Sequence, residues 1–164
     1  MQSPTETPLT DAVRDGRVDE VVALLAGGAD ANELVADAGG ITASALDLAC
    51  HNRHAEIAAA LIAAGAAVNQ VIDEGETIFW VCRAGFTETA KVLLASGAAV
   101  NQLTSDGLTP LFPACSHGHT EIAAALLAAG AVADQATGTD EGFTPLMLAC
   151  GQGHTEIAKA LLSA

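Results

Sequence analysis

The run Cys115-Ser116-His117-Gly118-His119 sets a thiol, a hydroxyl and two imidazoles within one short segment. Those are the residue types from which a thiol–imidazole pair or a soft metal site is assembled. Two further clusters, Asp73-Glu74 and Asp140-Glu141, place adjacent carboxylates ahead of Gly75 and Gly142, and paired acids do general acid–base work when burial raises the pKa of one of them. Neither chemistry fits the positions of its residues. His119 has counterparts at His54 and His154, so it recurs with the architecture, whereas an enzyme needs a nucleophile, a base and an orienting group that converge on one cleft. The acid pairs sit next to glycines between periodic segments, where solvated loop tips belong. No catalytic residue, metal or cofactor is therefore expected.

The elements that carry these residues repeat. Gly-His-Thr-Glu-Ile-Ala occurs at 118–123 and 153–158, with blurred copies at 53–58 and 85–90. Gly-Ala doublets at 65, 97 and 130 lie 32 and 33 residues apart, and Thr109 to Thr144 spans 144 − 109 = 35. Self-similarity at this period marks an array in which each unit buries its apolar face against the next. Thr109-Pro110 and Thr144-Pro145 suit an N-cap followed by proline at the first helical position, where the missing amide hydrogen costs nothing. A short first helix follows each pair. Ile122, Leu126 and Ala129, or Ile157 and Leu161, recur at three- and four-residue steps and give a second helix one apolar stripe. Gly65, Gly97 and Gly130 supply its left-handed end, and segments such as 100–107 read as extended turns leading to the next pair.

The period and the Thr-Pro-Leu motif of Thr109-Pro110-Leu111 and Thr144-Pro145-Leu146 resemble the ankyrin repeat family along nearly the whole chain. The resemblance implies an all-α ankyrin-repeat solenoid of five stacked helix-turn-helix units with hairpin-like connecting turns. It implies one domain over 1–164, with repeats at about 5–33, 40–70, 73–102, 106–135 and 141–164. It also implies that His54, His119 and His154 make hydrogen bonds in the turn between paired helices. Two departures stand out. The third copy has no proline, carries Trp80-Val81 where the others have Pro113-Ala114 or Leu148-Ala149, and is one residue shorter between Thr77 and Gly85. An insertion near 34–43 lengthens the spacing of the first two doublets to 37 (65 − 28) and is expected on the loop face.

Function follows from the same resemblance: a non-enzymatic protein-binding module that docks a partner on its concave face and turn tips. All five aromatics, Phe79, Trp80, Phe86, Phe112 and Phe143, lie in copies three to five. Trp80, Phe112, Phe143 and Met147 are the expected apolar contacts, since buried aromatic anchors dominate interface energy. Asp73, Glu74, Asp106, Asp140 and Glu141 form the expected charged rim. The alternative is a structural spacer or cap within a larger chain, with no ligand of its own. Leu61…Val68-Asn69 and Leu93…Val100-Asn101 also resemble sites of a cytosolic asparaginyl hydroxylase, although Asn is an ordinary turn residue as well.

Composition bounds the partner. With 20 acidic against 6 basic residues the net charge is −14, which disfavours nucleic acid and anionic membrane surfaces and suits a protein with a basic patch. The four cysteines, Cys50, Cys82, Cys115 and Cys150, share one repeat position. Packed helices lie about 8–10 Å apart, too far for a disulfide, so all four are expected as reduced, buried filler. The opening residues 1–6 lack the basic and apolar regions of a secretory signal, and a cytoplasmic location is expected. The ends differ. The first copy concentrates Asp11, Arg14, Asp15, Arg17, Asp19 and Glu20, a polar cap, whereas Glu156 to Ala164 looks like an internal repeat. Either a longer chain continues the stack, or a partner or a second copy covers that face through self-association.

Overall fold

The computed structural model describes residues 7–36, 42–72, 75–138 and 142–164, and divides between Thr77 and Ile78 into two compact units. The first holds helices α1 (Pro8–Arg14), α2 (Val18–Ala26), α3 (Ala45–His51) and α4 (Ala55–Ala63), with short strands β1 (Leu34–Ala36), β2 (Thr42–Ser44), β3 (Val71–Ile72) and β4 (Gly75–Glu76). The second is helical among its described residues: α5 (Thr77–Ala84, whose first residue belongs to the first unit), α6 (Thr87–Ala95), α7 (Leu111–Ser116), α8 (Thr120–Ala128), α9 (Pro145–Gly151) and α10 (Thr155–Ser163). The helices form consecutive pairs, short then long, as an all-α ankyrin solenoid requires.

Within the first unit α1 packs on α3 and α2 on α4; within the second, α7 packs on α9, α6 on α8 and α8 on α10. Like helices therefore stack on like. The core runs along these layers: Leu9, Val13, Leu46, Ile57 and Leu61 in one unit, Leu93, Leu111, Ile122, Leu126 and Ile157 in the other, all fully buried. Each such side chain contributes about 1.5–3 kcal/mol by leaving water.

Local chemistry starts the first helices in two ways. Thr7 and Ser44 cap α1 and α3 through reciprocal boxes with Thr10 and Asp47 at the third helical position. Thr144 caps α9 by accepting from the Met147 amide, with Pro145 at the first position. The fourth copy departs from the expected Thr-Pro start. Phe112 N donates to Thr109 O at 3.0 Å, so the chain winds one tighter turn and α7 begins at Leu111. Pro113 fits there because the first amides of a helix have no partner to lose. The third copy, short of a residue and without proline, still forms a full helix, because α5 starts at Thr77 itself.

Side chains stitch neighbouring layers at two places. Nε2 of His54 meets Arg14 O at 3.4 Å, that of His119 meets Arg83 O at 3.3 Å, and that of His154 meets Ser116 O at 3.4 Å. The turn histidines thus bond to the preceding helix pair. Asn32 donates to Gly65 O and accepts from the Ala67 amide, and Asn101 repeats this with Gly130 O (2.9 Å) and Val132 N (2.8 Å). The insertion forms an antiparallel hairpin, Leu34 opposite Ser44 and Ala36 opposite Thr42, which buries Val35.

Candidate functional site

The turn after each first helix is set by Gly16, Arg53, Gly85, Gly118 or Gly153, all at φ between +64 and +76. Six residues before these stand Thr10, Asp47, Phe79, Phe112 and Met147. This position, six residues ahead of the left-handed turn, is polar in the first unit, where Thr10 and Asp47 are buried in the capping boxes. In the second unit it is apolar. Phe79 and Phe112 are half-buried and Met147 is 57% exposed. No capping box holds these side chains back, so α5, α7 and α9 each hold an apolar group at this position with part of its surface in water.

Leu108 and Phe112 form a ridge between two hollows. One, of about 640 Å³, is lined by Asp106, Leu108, Phe112, Thr137 and Phe143 with the backbone of Gly107 and Gly138. It rests on two tight turns, Thr104 N to Leu108 O at 3.0 Å and Thr137 N to Phe143 O at 2.9 Å. The other, of about 290 Å³, lies between Phe79, Arg83, Leu108, Phe112, Pro113 and His117. The first hollow carries a carboxylate at its edge and the second a guanidinium and an imidazole. Both offer an apolar floor with a few polar groups.

Of the expected contacts, the structure brings Asp106, Phe112 and Phe143 to one hollow. Met147 is exposed on α9. Trp80 lies half-buried on α5, edge-on to Phe79 with centroids 6.2 Å apart, and carries the Arg83 guanidinium 4.9 Å above its ring. Asp73, Glu74, Asp140 and Glu141 fall outside the described residues. Phe79, Arg83 and His117 were not among the expected contacts. The signal for Phe79 was present: aligned on Gly85, Gly118 and Gly153, it falls on the same position as Phe112 and Met147.

The thiol–imidazole cluster is taken apart by the fold. Cys115 is fully buried, and burial pushes its thiol up to about 12, far from the thiolate a nucleophile needs. His117 Nδ1 meets Pro113 O at 2.9 Å and its ring lies parallel to that of His119, 5.9 Å away. All four cysteines are free. Cys50, Cys82 and Cys115 are buried as expected, but Cys150 is exposed, because the face of α9 that carries it has no described layer against it.

No helix among the described residues is long and apolar enough to cross a membrane. A model of the ankyrin repeat in three copies matches residues 78–164, and a single ankyrin repeat model matches residues 43–73. None of the curated proteins compared with this chain matches it. Ankyrin repeats are generally protein–protein interaction modules. Two matched segments covering most of the sequence, laid over helix pairs that stack like on like, establish that the chain belongs to the ankyrin repeat family.

Proposed function

We propose that this chain is a single ankyrin repeat domain that binds a protein partner, without catalysis, through the first-helix face and turn tips of its second unit. The observation that carries this reading is the change at the position six residues ahead of each left-handed turn. Thr10 and Asp47 close capping boxes in the first unit, while Phe79, Phe112 and Met147 keep apolar surface in water in the second. Phe112 and Phe143 flank the larger hollow, and aromatic groups in such a position commonly carry most of the energy of an interface. Trp80 extends the apolar face, and Asp106 supplies a carboxylate at its edge. The net charge of −14 supports a partner with a basic patch. Four free cysteines suit the reducing cytoplasm.

The test is capture of partners from source-cell lysate by the chain and by Phe112→Ala with Phe143→Ala. A specific partner lost with the double substitution, while the urea midpoint falls only modestly, supports a binding face. A spacer gives no specific partner in either case. Raising salt weakens capture if Asp106 contributes; stronger capture at high salt removes the electrostatic part.

A further inference from the structure

Phe112 divides a groove whose two sides carry opposite charge. On one side, the hollow of about 640 Å³ has Leu108, Phe112 and Phe143 as apolar walls and Asp106 as the one charged side chain among its described lining residues. On the other, the hollow of about 290 Å³ has Phe79, Phe112 and Pro113 as walls, with Arg83 and His117 as its basic groups and no carboxylate among its described lining residues. All of these residues belong to the second unit.

Both sides are held in place by the chain itself. Gly107 N donates to Thr104 O at 2.9 Å and Thr104 N to Leu108 O at 3.0 Å, closing the turn that carries Asp106. Gly107, at φ +73, lies so near the next turn that a β-carbon on it would meet Gly138 N at 2.9 Å. Across the ridge, the Arg83 guanidinium sits 4.9 Å from the centre of the Trp80 ring, and His117 Nδ1 donates to Pro113 O at 2.9 Å. Arg83 stands apart from most cations of this acidic chain. Arg14, Arg17, Lys91 and Lys159 are each ion-paired to a carboxylate, whereas Arg83 is exposed and rests on an aromatic ring, with no carboxylate at ion-pair distance among the described residues. A guanidinium lying over a ring keeps its N–H fork for an incoming carboxylate.

We propose, resting on the protein-binding role proposed above, that this groove takes an extended segment of the partner whose arginine enters the larger hollow and whose Asp or Glu, two residues away, reaches Arg83 in the smaller one. Arginine suits the larger hollow better than lysine, because its planar head stacks on aromatic rings and pairs with a carboxylate through two N–H bonds, while its stem lies along apolar wall. The shared ring sets the spacing. Groups packed on opposite sides of Phe112, each at about 3.5–4.0 Å, lie about 7–8 Å apart, close to the step of about 6.4–6.8 Å between alternate residues of an extended strand, whose side chains share one side. Opposite polarity then excludes a wholly basic segment, since its second cation would meet Arg83.

A display library of random linear peptides is the probe, selected on the whole chain with binders of Phe112→Ala subtracted. Enriched peptides carry arginine two residues from Asp or Glu, and replacing that arginine by glutamine in a free peptide weakens binding about tenfold or more. Asp106→Arg removes the preference for arginine and keeps that for the acid; Arg83→Glu does the converse. Both side chains are exposed, so both variants keep the urea midpoint of the parent. Phe112-dependent peptides that lack the charged pair, or whose pair is indifferent to Asp106 and Arg83, overturn this inference and leave the protein-binding role standing. Finding no Phe112-dependent peptide overturns it too, and lysate capture decides the broader role separately.

Discussion

A β-carbon on Gly118 would lie 2.6 Å from Cε1 of His154, the imidazole of the following repeat. The same approach recurs at 2.8 Å between Gly16 and His54 and at 2.5 Å between Gly85 and His119. The glycine thus answers two demands: it takes a left-handed backbone, φ +76 at Gly118, and it leaves the surface on which the histidine of the next layer lies. With Nε2 of His154 held at Ser116 O, the pair fixes how closely one first helix follows another, which in turn spaces Phe112 from Met147.

Gly153 separates the two demands. Its φ is also +76, but a β-carbon there meets nothing within 4 Å. Gly153→Ala is expected to cost only the left-handed strain, about 1–2 kcal/mol. Gly118→Ala is expected to cost more, because the histidine must shift as well. Urea unfolding of both variants checks this, and His154→Ala added to Gly118→Ala should recover the excess. Equal losses at the two glycines would mean that the imidazole contributes no close packing.

Buried thiols make stability fall in alkali. Burial raises Cys82 and Cys115 from 9.0 to about 12, and burial followed by the nearby Asp47 charge raises Cys50 further. Below pH 9 these thiols are protonated whether the chain is folded or not, and their contribution is constant. Above it the unfolded chain loses the protons that the folded chain keeps, so stability drops by up to about 1.4 kcal/mol per pH unit per thiol until the folded thiols ionise. The chain has no tyrosine to add a competing titration in that range. Urea midpoints between pH 8 and 11 should decline, and replacing Cys82 and Cys115 by alanine should flatten the decline. A slope unchanged by these replacements would place its origin elsewhere.

Asp47 ties α3 to Thr77, thirty residues further along the chain. Its carboxylate accepts from Ser44 N at 3.0 Å, from Ser44 Oγ at 2.6 Å and from the Thr77 hydroxyl. Asp47→Ala removes a capping box and leaves two buried hydroxyls short of a partner, for an expected loss of about 2–4 kcal/mol. Asp47→Asn keeps the acceptor oxygen and should lose less than half as much. Urea unfolding of the two variants distinguishes them, and equal losses would assign the effect to charge instead of hydrogen bonding.

The period, the helix pairs and the turn glycines were legible because each is a local demand of backbone and burial written into every copy. Register in the third copy was harder. Counting forward from Thr77 sets Trp80 beside Phe112 and Met147, while counting back from Gly85 sets Phe79 there. The structure follows the glycine, because the left-handed turn is shared by all copies and the helix start can slide by a residue. Arg83 and His117 were not legible as groove residues. Nothing in their spacing marks them, and they meet only when α5 and α7 have packed. The exposure of Cys150 was hidden for the same reason: its neighbours in sequence match those of Cys115, and only the absence of a described covering layer separates the two.

Asn101 offers a sharper distinction between turn residue and structural clamp. An asparagine needed only for its turn conformation tolerates aspartate or serine, whereas the observed side chain donates to Gly130 O and accepts from the Val132 amide of the next turn. Asn101→Asp keeps the acceptor and loses the donor, setting a carboxylate against a carbonyl; Asn101→Ala loses both bonds. Each bond contributes about 0.5–1.5 kcal/mol, so alanine is expected to cost about 1–3 kcal/mol. Hydrogen exchange should localise the effect, with the Val132 amide, held at 2.8 Å, exchanging faster in both variants while amides at the centre of α8 keep most of their protection. A uniform rise across α8 would show that the clamp supports the whole layer. No change at Val132 would show that the two turns hold together without it.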